Sequence, residues 1–302
     1  MSGQLDGRVA IVTGSGRGLG RAYAEQLAAA GAAVVVNDID GETAATVVDA
    51  ITAAGGQATA VVAPVGSTEV AATLVDAART RLGRLDIVVS NAGVLRDRVL
   101  WKMSDDDFDL VVSTHLRGTF TLGRAAATAM REQGEGGRLI LIGSPAGQFG
   151  SFGQTNYAAV KAGLVAMART WSLELARDRI TANVVVPTAM TAMTGTIPAY
   201  TELYEGFLQG EPLPRSVRRE HALGSPEDVA PLVVWLASDA AADVTGQAIG
   251  IGGDRLTLYT HPAEAAVEYS DGGWTAELIG ETWRTAFEKR RQPSGAVLPS
   301  LG

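Results

Sequence analysis

Tyr157 and Lys161 stand four positions apart, and Ser144 precedes the tyrosine by thirteen positions. The residues from Ala158 to Trp171 are rich in Ala, Leu and Met, which predicts a helix. Because residues four apart share a helix face, the tyrosine hydroxyl and the lysine ammonium can approach one point. A nearby positive charge favours phenolate and lowers a tyrosine pKa from its ordinary value of about 10. The spacing therefore predicts a tyrosine that exchanges a proton with an alcohol or carbonyl oxygen.

Ser144 follows the strand-like run Arg138–Ile142. At the end of a strand its hydroxyl can hydrogen-bond the same substrate oxygen as the tyrosine. Taken alone, a Tyr-x-x-x-Lys pair is more often a surface pair on a helix. A second motif, near the other end of the chain, decides between these interpretations.

A glycine-rich turn follows the first strand-like run, Arg8–Val12, and precedes an Ala-rich helix, Arg21–Ala30. Its glycines permit a tight turn and a close approach of the backbone to a pyrophosphate. The helix N-terminus supplies N–H groups and a dipole that favour this anion. The candidate cofactor-binding residues of the turn are Gly14, Arg17, Gly18, Leu19 and Gly20.

Asp38 stands at the end of the next strand-like run, about 20 residues after the turn. A carboxylate there can accept hydrogen bonds from an adenosine ribose. It also repels the 2′-phosphate of NADP, so NAD is the predicted cofactor and NADP the less favoured one. Arg17, and less readily Arg21, would offset this repulsion. The order strand, turn, helix, strand and acid predicts a nucleotide-binding unit.

These motifs resemble those of the short-chain dehydrogenase/reductase family over roughly residues 5–253. The matching positions are Thr13-Gly14-x-x-x-Gly18-x-Gly20, Asn91-Ala92-Gly93, and Ser144 with Tyr157-x-x-x-Lys161. The resemblance implies that Asn91, Ala92 and Gly93 line the cofactor cleft. It also implies that Tyr157 is the acid/base, and that Lys161 holds the nicotinamide ribose while tuning the tyrosine.

Two positions near this predicted site depart from the family pattern. His115 stands where the family usually has an Asn that acts largely through its backbone carbonyl, which holds a water in a proton relay. His115 is therefore either a catalytic residue or a packing residue. Pro64 stands where an Asp commonly contacts adenine, and since proline has no N–H, the backbone of Val65 is the candidate contact.

A third departure follows the predicted sixth strand, where Pro187-Thr188 replaces the usual Pro-Gly. The resemblance places Pro187 and a nearby threonine beside the nicotinamide. Thr191 and Thr194 are both candidates, and Thr191 is preferred.

Within the family, the chain is more similar to the (3R)-hydroxyacyl-CoA dehydrogenase portion of peroxisomal multifunctional β-oxidation enzymes. The supporting stretches include Val34–Asp38, His115–Gly118 and Phe152–Tyr157. This likeness implies hydride transfer between nicotinamide and a 3-hydroxyacyl thioester, with steroids and other bulky alcohols as open alternatives. An NADPH-dependent 3-ketoacyl reductase is disfavoured by Asp38. A non-catalytic nucleotide-binding regulator is disfavoured by the intact Ser144, Tyr157 and Lys161.

The chain has 302 residues, no cysteine and a formal net charge of −8 at pH 7. The length suits one large α/β domain. Lack of cysteine excludes disulfides and agrees with a reducing compartment, so we expect a cytoplasmic protein. The chain shows neither an apolar signal segment nor an apolar run long enough for a membrane span.

The acidic charge argues against nucleic-acid binding. Histidines stand only at positions 115, 221 and 261, without metal-ligand spacing, so no metal site is predicted. The main local basic group is Arg215, Arg218 and Arg219, which is either a solvated face or a contact for an anionic substrate such as a coenzyme A phosphate.

Strand-like runs alternate with helical segments along the chain, which predicts a parallel sheet with helices on both faces. Right-handed crossovers give a single Rossmann-type, doubly wound sheet of about seven strands in the order 3-2-1-4-5-6-7. The carboxyl ends of strands 1, 2, 4 and 5 then meet at one crevice. The glycine turn, Asp38, Asn91 and Ser144 all stand at such ends.

The predicted dehydrogenase domain spans residues 1–253. Within it, residues 188–222 form a long insertion that we interpret as a substrate lid. Its candidate lining residues are Met190, Met193, Tyr200, Tyr204 and Phe207. Residues 254–302 form an extension, with a helix at Glu277–Arg290, that must pack on the same domain or on a neighbouring subunit. The family resemblance implies a homotetramer or homodimer.

Overall fold

The computed structural model describes residues 3–195 and 197–295. The predicted domain and extension also include residues 1–2 and 296–302, and the predicted lid includes residue 196, all of which lie outside the described residues. The described chain forms an α/β fold around one eight-stranded sheet in the order β3-β2-β1-β4-β5-β6-β7-β8.

The strands alternate with helices in sequence. The strands of the described chain are β1 (Val9–Thr13), β2 (Ala33–Asp38), β3 (Ala58–Val62), β4 (Ile87–Ser90), β5 (Gly137–Ile142), β6 (Ile180–Pro187), β7 (Ala248–Gly252) and β8 (Arg255–Leu258). The α-helices of the same ranges are α1 (Gly18–Ala29), α2 (Gly41–Ala53), α3 (Thr68–Arg81), α4 (Asp105–Val111), α5 (Gly118–Gln133), α6 (Pro145–Phe149), α7 (Thr155–Glu174), α8 (Ala192–Gly195), α9 (Thr201–Leu208), α10 (Arg215–Glu220), α11 (Pro226–Ala237) and α12 (Ala276–Thr282).

The sheet is covered on both faces, which explains why its central strands are nearly all apolar. On one face α1, α2 and α11 pack through side chains such as Tyr23 and Leu236. On the other face α3, α5 and α7 contribute Leu74, Leu122 and Leu164. Burial of each leucine side chain stabilises the fold by roughly 1.5–3 kcal/mol relative to leaving it in water. The two apolar layers hold the strands in register, and the register sets the positions of the residues that follow each strand.

The predicted order of the first seven strands is confirmed, and an eighth strand extends the sheet. Strand β8 pairs antiparallel with β7, so the sheet continues into the predicted extension. The connection is the two-residue turn Gly253-Asp254, in which Gly253 has φ +49°. A hairpin of this length needs a positive φ, which glycine adopts without strain.

The predicted helix Glu277–Arg290 is helical in three geometries. It begins with α12, continues as a π-helical turn over Trp283–Phe287 and ends in a 3₁₀ turn over Glu288–Arg290. The rings of Trp283 and Phe287 pack edge to face with centroids 6.1 Å apart.

Within residues 3–195 and 197–295, none of the helices combines the length and apolar character needed to cross a membrane. In these same ranges, no three His, Asp or Glu side chains are grouped so that they could hold a metal ion.

Tyr23 offers a test of the packing between α1 and the sheet. Its side chain is fully buried, and its hydroxyl has no hydrogen-bond partner among the described residues. An unpaired buried hydroxyl costs free energy, so we expect Tyr23→Phe to raise the free energy of unfolding by about 1 kcal/mol in urea denaturation. As a control, Tyr23→Ala removes the ring as well and should lower it by roughly 3–5 kcal/mol. A less stable phenylalanine variant would mean that the hydroxyl binds a buried water.

Candidate active site

The glycine turn after β1 is held close to the segment after β4. Gly14 has φ +61°, and a Cβ there would lie 2.7 Å from the Cα of Ala92. A Cβ at Gly20 would overlap the carbonyl oxygen of Gly14 and the side chain of Asn91. These close approaches explain why the turn needs glycine at two of its positions.

Asn91 connects the two strand ends directly. Its Nδ2 donates hydrogen bonds to the carbonyl oxygens of Thr13 at 2.9 Å and Gly14 at 3.0 Å. In return, the backbone N–H groups of Asn91 and Ala92 donate to Thr13 Oγ1 at 3.0 and 3.1 Å. The predicted cleft residues Asn91 and Ala92 therefore fix the shape of the glycine turn.

The N-terminus of α1 fits an anionic group. Helices α2, α3 and α4 begin with side-chain caps from Asp40, Ser67 and Ser104, whereas Arg17, at the same position of α1, provides no cap. The first turn of α1 also contains no acidic residue. Its N–H groups are thus left for a ligand, as a pyrophosphate requires. A Cβ at Gly18 would meet only Thr191 Cγ2, at 4.0 Å, so there is room above the turn.

Asp38 lies against the glycine turn. Its Oδ2 accepts a hydrogen bond from Gly16 N at 2.9 Å, and its Oδ1 accepts one from Asp40 N at 3.2 Å. The two bonds hold the carboxylate at the end of β2, beside the predicted ribose position. The exposed Arg17 follows Gly16 in the same turn.

The predicted adenine contact, Val65, lies in the loop between β3 and α3, beside the start of α5. A Cβ at Gly118 would be 3.1 Å from Val65 Cγ2, and Arg117 Nε donates to Gly66 O at 3.0 Å. The segment that carries Val65 is therefore fixed at the carboxyl edge of the sheet. Its residue 64 is a proline, where the family commonly has an aspartate.

Pro187 ends β6 and leads into the two candidate threonines. Thr191 Oγ1 and Thr194 Oγ1 are 3.2 Å apart, and Thr194 Oγ1 donates to Ala189 O. The structure brings both hydroxyls together, and Thr191 lies near the glycine turn, since its Cγ2 would be 4.0 Å from a Cβ at Gly18.

Ser144, Tyr157 and Lys161 meet beyond the end of β5. Ser144 caps the short helix α6, with its Oγ accepting a hydrogen bond from Ala146 N at 3.2 Å. Lys161 Nζ donates to Ile142 O at 2.6 Å and lies 5.4 Å from the centroid of the Tyr157 ring. The predicted pairing of Tyr157 and Lys161 on one face of α7 is thus what the structure shows.

The approach of α6 to α7 depends on Gly147. A Cβ at this position would lie 2.6 Å from the backbone carbon of Lys161. A larger residue would push α6 away and would move Ser144 away from Tyr157.

His115 packs against Tyr157. It lies in a π-helical turn, Val112–Arg117, and its ring meets the tyrosine ring edge to face at 5.3 Å. Its Nε2 lies 3.0 Å from Val94 N and 2.9 Å from Val94 O, while its Nδ1 has no partner within the described ranges. A Cβ at Gly93 would overlap this ring, which accounts for the glycine there.

The pKa values of the three titratable side chains are all displaced by burial. Burial raises the pKa of Tyr157 to about 12, opposed by a hydrogen bond with Ser144 and assisted by the carboxylate of Asp97. Burial lowers the pKa of Lys161 to about 7. Burial and the nearby Lys161 together lower the pKa of His115 to about 3. All three groups are thus driven toward their neutral forms.

The expectation that Lys161 would lower the Tyr157 pKa below its ordinary value is not met. The reason is burial, which outweighs the hydrogen bond with Ser144. Because the pKa of Lys161 is itself lowered to about 7, its ammonium is only partly populated at neutral pH. A partly charged lysine exerts a correspondingly weaker effect on its neighbour.

Most of the predicted lid-lining residues pack against one another. Met190 is buried with Val217 and Leu223, and the aromatic side chains that cover this cluster are Tyr200, Tyr204 and Phe207. The lid therefore has a small apolar core of its own. Met193, by contrast, is exposed.

The basic group in the lid is partly engaged. Arg218 forms ion pairs with Asp228 and Asp254, whereas Arg215 and Arg219 are exposed. The sequence left open whether this group is a solvated face or an anion contact. Arg218 is committed to carboxylates of the chain itself.

Two buried asparagines support the candidate site through contacts that their stretches, Val34–Asp38 and Phe152–Tyr157, do not themselves indicate. Asn37 Nδ2 donates to Val61 O and Ala63 O, both at 3.0 Å, and so fixes the end of β3. Asn156, directly before Tyr157, bonds the backbone of a neighbouring segment. Side-chain bonds to backbone carbonyls leave no periodic or spaced pattern, so the sequence alone gives no signal for them.

The profile of a family described as enoyl-(acyl carrier protein) reductase matches residues 14–253. Hydroxyacyl-CoA dehydrogenase ChsB1 of Mycobacterium tuberculosis is 42% identical over 300 residues, which cover 95% of this chain and 90% of that protein. The chain belongs to the short-chain dehydrogenase/reductase family. The resemblance inferred from the motifs is therefore confirmed.

Two further comparisons place this short-chain dehydrogenase/reductase among its relatives. Peroxisomal multifunctional enzyme type 2 of Drosophila melanogaster is 36% identical over 99% of the chain, which spans only 48% of the fly protein. A crystal structure of a short chain dehydrogenase from Mycobacterium avium superposes with a TM-score of 0.84 at 37% identity, covering 97% of this chain and 100% of the other. The protein is an oxidoreductase that acts on CH–OH groups with a nicotinamide cofactor.

The buried Lys161 generates a pH-dependent stability. Its pKa is lowered from 10.5 to about 7, so between these values the unfolded chain binds more protons than the native protein. The free energy of unfolding should therefore rise with pH across this window, relative to a Lys161→Met variant that lacks the titrating group. Urea unfolding of both proteins, without added cofactor, from pH 6 to pH 10 measures the difference. A difference that does not change with pH would mean that water reaches the ammonium.

Proposed function

We propose that the protein is an NAD(H)-dependent dehydrogenase of 3-hydroxyacyl-CoA thioesters. The observation that carries this proposal is the similarity to a hydroxyacyl-CoA dehydrogenase, which continues over 95% of the chain and so includes the lid and most of the extension. The core of the domain is shared among dehydrogenases, so substrate choice would depend on the lid and the extension. The cytoplasmic location, the oligomer and the role of residues 188–222 as a substrate lid stay predictions.

In the proposed reaction, Tyr157 carries the proton of the substrate oxygen. Its neutral hydroxyl, favoured by a pKa of about 12, can donate to a carbonyl oxygen during reduction. Ser144 opposes the rise of the Tyr157 pKa and would orient the same substrate oxygen. When bound, the nicotinamide supplies or accepts the hydride at the carbinol carbon.

Lys161 and His115 support this proton transfer in different ways. Lys161 is held beside Tyr157 by its bond to Ile142 O, where it can bind the nicotinamide ribose and stabilise a phenolate. His115 has a pKa of about 3 and stays neutral, so we assign it to holding the Tyr157 ring rather than to carrying a proton. Its backbone carbonyl accepts hydrogen bonds from Thr119 Oγ1 at 2.6 Å and from the N–H of Gly118.

The remaining proposed contacts concern the cofactor. The backbone around Gly14, Gly18, Leu19 and Gly20 would hold the pyrophosphate, with Val65 at the adenine and Pro187 and Thr191 at the nicotinamide. The cleft between the adenine end and the nicotinamide end of the cofactor would be lined by Asn91, Ala92 and Gly93.

Turnover tests the proposed function. We expect the wild-type protein to oxidise NADH with acetoacetyl-CoA, and Tyr157→Phe to lower kcat by about 100-fold or more, since it removes the acid/base group. NADH binding, followed by cofactor fluorescence, should persist in this variant. Tyr23→Phe, which removes a hydroxyl in the core, is the matched control and should retain turnover.

The alternatives give different results in the same assay. Activity restricted to NADPH and an acyl carrier protein thioester would indicate a ketoacyl reductase. Activity only on bulky ketones such as steroids would remove the thioester assignment. NADH binding without turnover on any ketone would favour a nucleotide-binding regulator.

Asp38 is proposed to select NAD. Its carboxylate lies beside the glycine turn, where it would repel a 2′-phosphate. Asp38→Asn keeps an acceptor for Gly16 N and removes the charge, so we expect the ratio of kcat/KM for NADPH to that for NADH to rise at least about tenfold, equivalent to about 1.4 kcal/mol. Asp40→Asn, at the neighbouring cap of α2, should leave the ratio unchanged. An unchanged ratio in the Asp38 variant would assign cofactor choice to other residues, with Arg17 as the first candidate.

A further inference from the structure

A set of hydrogen bonds fastens the segment after β4 to the loop before α7. Arg98 N donates to Gly153 O at 2.8 Å, and Gln154 Nε2 donates to Asp97 Oδ2 at 2.9 Å. We call this connection, between Arg96–Arg98 and Gly153–Asn156, the strap. It joins two segments that are about 55 residues apart in sequence and that pair at a bridge between Arg98 and Gln154.

Asn156 is the buried centre of the strap. Its Nδ2 donates to Arg96 O at 3.0 Å and to Asp107 O at 3.2 Å. Its Oδ1 accepts a hydrogen bond from Tyr157 N at 2.7 Å. One fully buried amide thus joins three separate backbone positions and satisfies both of its N–H donors.

The bond to Tyr157 N replaces a missing helix cap. Tyr157 is the third residue of α7, so its N–H has no partner within the helix. Gln154, at the cap position, bonds Asp97 and provides no side-chain cap for the first N–H groups of α7. Asn156 Oδ1 therefore determines how the backbone of Tyr157 is held at the start of α7.

We infer that Asn156 is a positioning residue for Tyr157, which acts by fixing the tyrosine backbone to the strap. The inference rests on the proposed role of Tyr157 as the acid/base. The tyrosine ring is packed against His115 on one side, and the position of its backbone sets where the ring and the hydroxyl lie. Asn156 acts on that position, because it bonds Tyr157 N, Arg96 O after β4 and Asp107 O in α4.

The expected size of the effect follows from the geometry of proton transfer. A misplacement of a reacting group by about 1 Å costs about 100-fold in rate. Removal of the Asn156 side chain would take this partner from Arg96 O, Asp107 O and Tyr157 N, whose bonds to it are partly buried, so the strap should loosen. Within the described chain, the proposed cofactor-binding residues at Gly14–Gly20 make no hydrogen bond with Asn156. We therefore expect the affinity for the cofactor to stay unchanged when the Asn156 side chain is removed.

The experiment compares Asn156→Ala and Asn156→Asp with a matched control. Asn183, in β6, is also a buried asparagine, with Nδ2 donating to Val244 O and Oδ1 accepting from Gln247 N at 3.0 Å. Asn183→Ala should therefore cost a similar amount of stability without touching the strap. Asn156→Asp keeps an acceptor for Tyr157 N but has no donor for the two carbonyls.

We expect both Asn156 variants to lower kcat by about 10- to 100-fold with little change in KM for NADH. Asn183→Ala should retain kcat even where its melting temperature falls as far as that of the Asn156 variants. An unchanged kcat in Asn156→Ala, or an equal loss in Asn183→Ala, would overturn the inference. Wild-type inactivity on acetoacetyl-CoA would instead count against the proposed function, and any ketone that is turned over then serves for the comparison.

Hydrogen exchange gives a readout that needs no substrate. In Asn156→Ala we expect faster amide exchange in peptides covering residues 94–108 and 153–161, while peptides covering the glycine turn and β6 exchange as in the wild type. In Asn183→Ala the faster exchange should appear around β6 and residues 244–247. Unchanged exchange at residues 94–108 in the Asn156 variant would show that this side chain does not hold the strap.

Discussion

The hydrogen bonds of Asn91 hold together the two halves of the active-site crevice. The order of the strands reverses between β1 and β4, so the glycine turn lies on one side of this point and helix α7, with Tyr157 and Lys161, on the other. Asn91 spans the point by bonding the carbonyls of Thr13 and Gly14, which sets the height of the glycine turn relative to the segment after β4. Each half could fold correctly and still present cofactor and substrate at the wrong separation. The shared bonds remove that freedom.

The parts of the structure that follow from the sequence are those with short-range causes. The alternation of apolar runs with helices dictates a parallel sheet, and right-handed crossovers leave few orders for its strands. The glycine turn and the pair Tyr157 and Lys161 are also local, because their geometry is set within one turn or one helix. For this reason the sequence alone predicts seven strands, the turn and the proximity of Tyr157 to Lys161.

The parts that the sequence did not indicate depend on contacts between distant segments. The roles of Asn37 and Asn156 come from backbone carbonyls at positions 61, 63, 96 and 107, which no spacing rule connects to them. The aromatic side chains of the predicted lid pack together because α9 and α10 fold onto Met190, and composition alone cannot distinguish that packing from a substrate lining. Strand β8 differs from these cases, because a Gly-Asp pair such as Gly253-Asp254 between two strands is a typical β-hairpin turn. The sequence alone could therefore have predicted this strand.

Burial also favours the neutral forms of the titratable side chains at the candidate site, and this limits how a negative charge can form on Tyr157. With pKa values of about 12, about 7 and about 3, Tyr157 and His115 are neutral and Lys161 is only partly protonated at pH 7. Proton loss from Tyr157 would create a buried anion, which is costly unless a cation appears beside it. Lys161 is the group able to supply that cation, because an adjacent phenolate would raise its pKa and draw a proton onto it. The two side chains should therefore titrate as a pair, with the lysine gaining charge as the tyrosine does, so that the spacing of Tyr157 and Lys161 matters more than the separate pKa of either one.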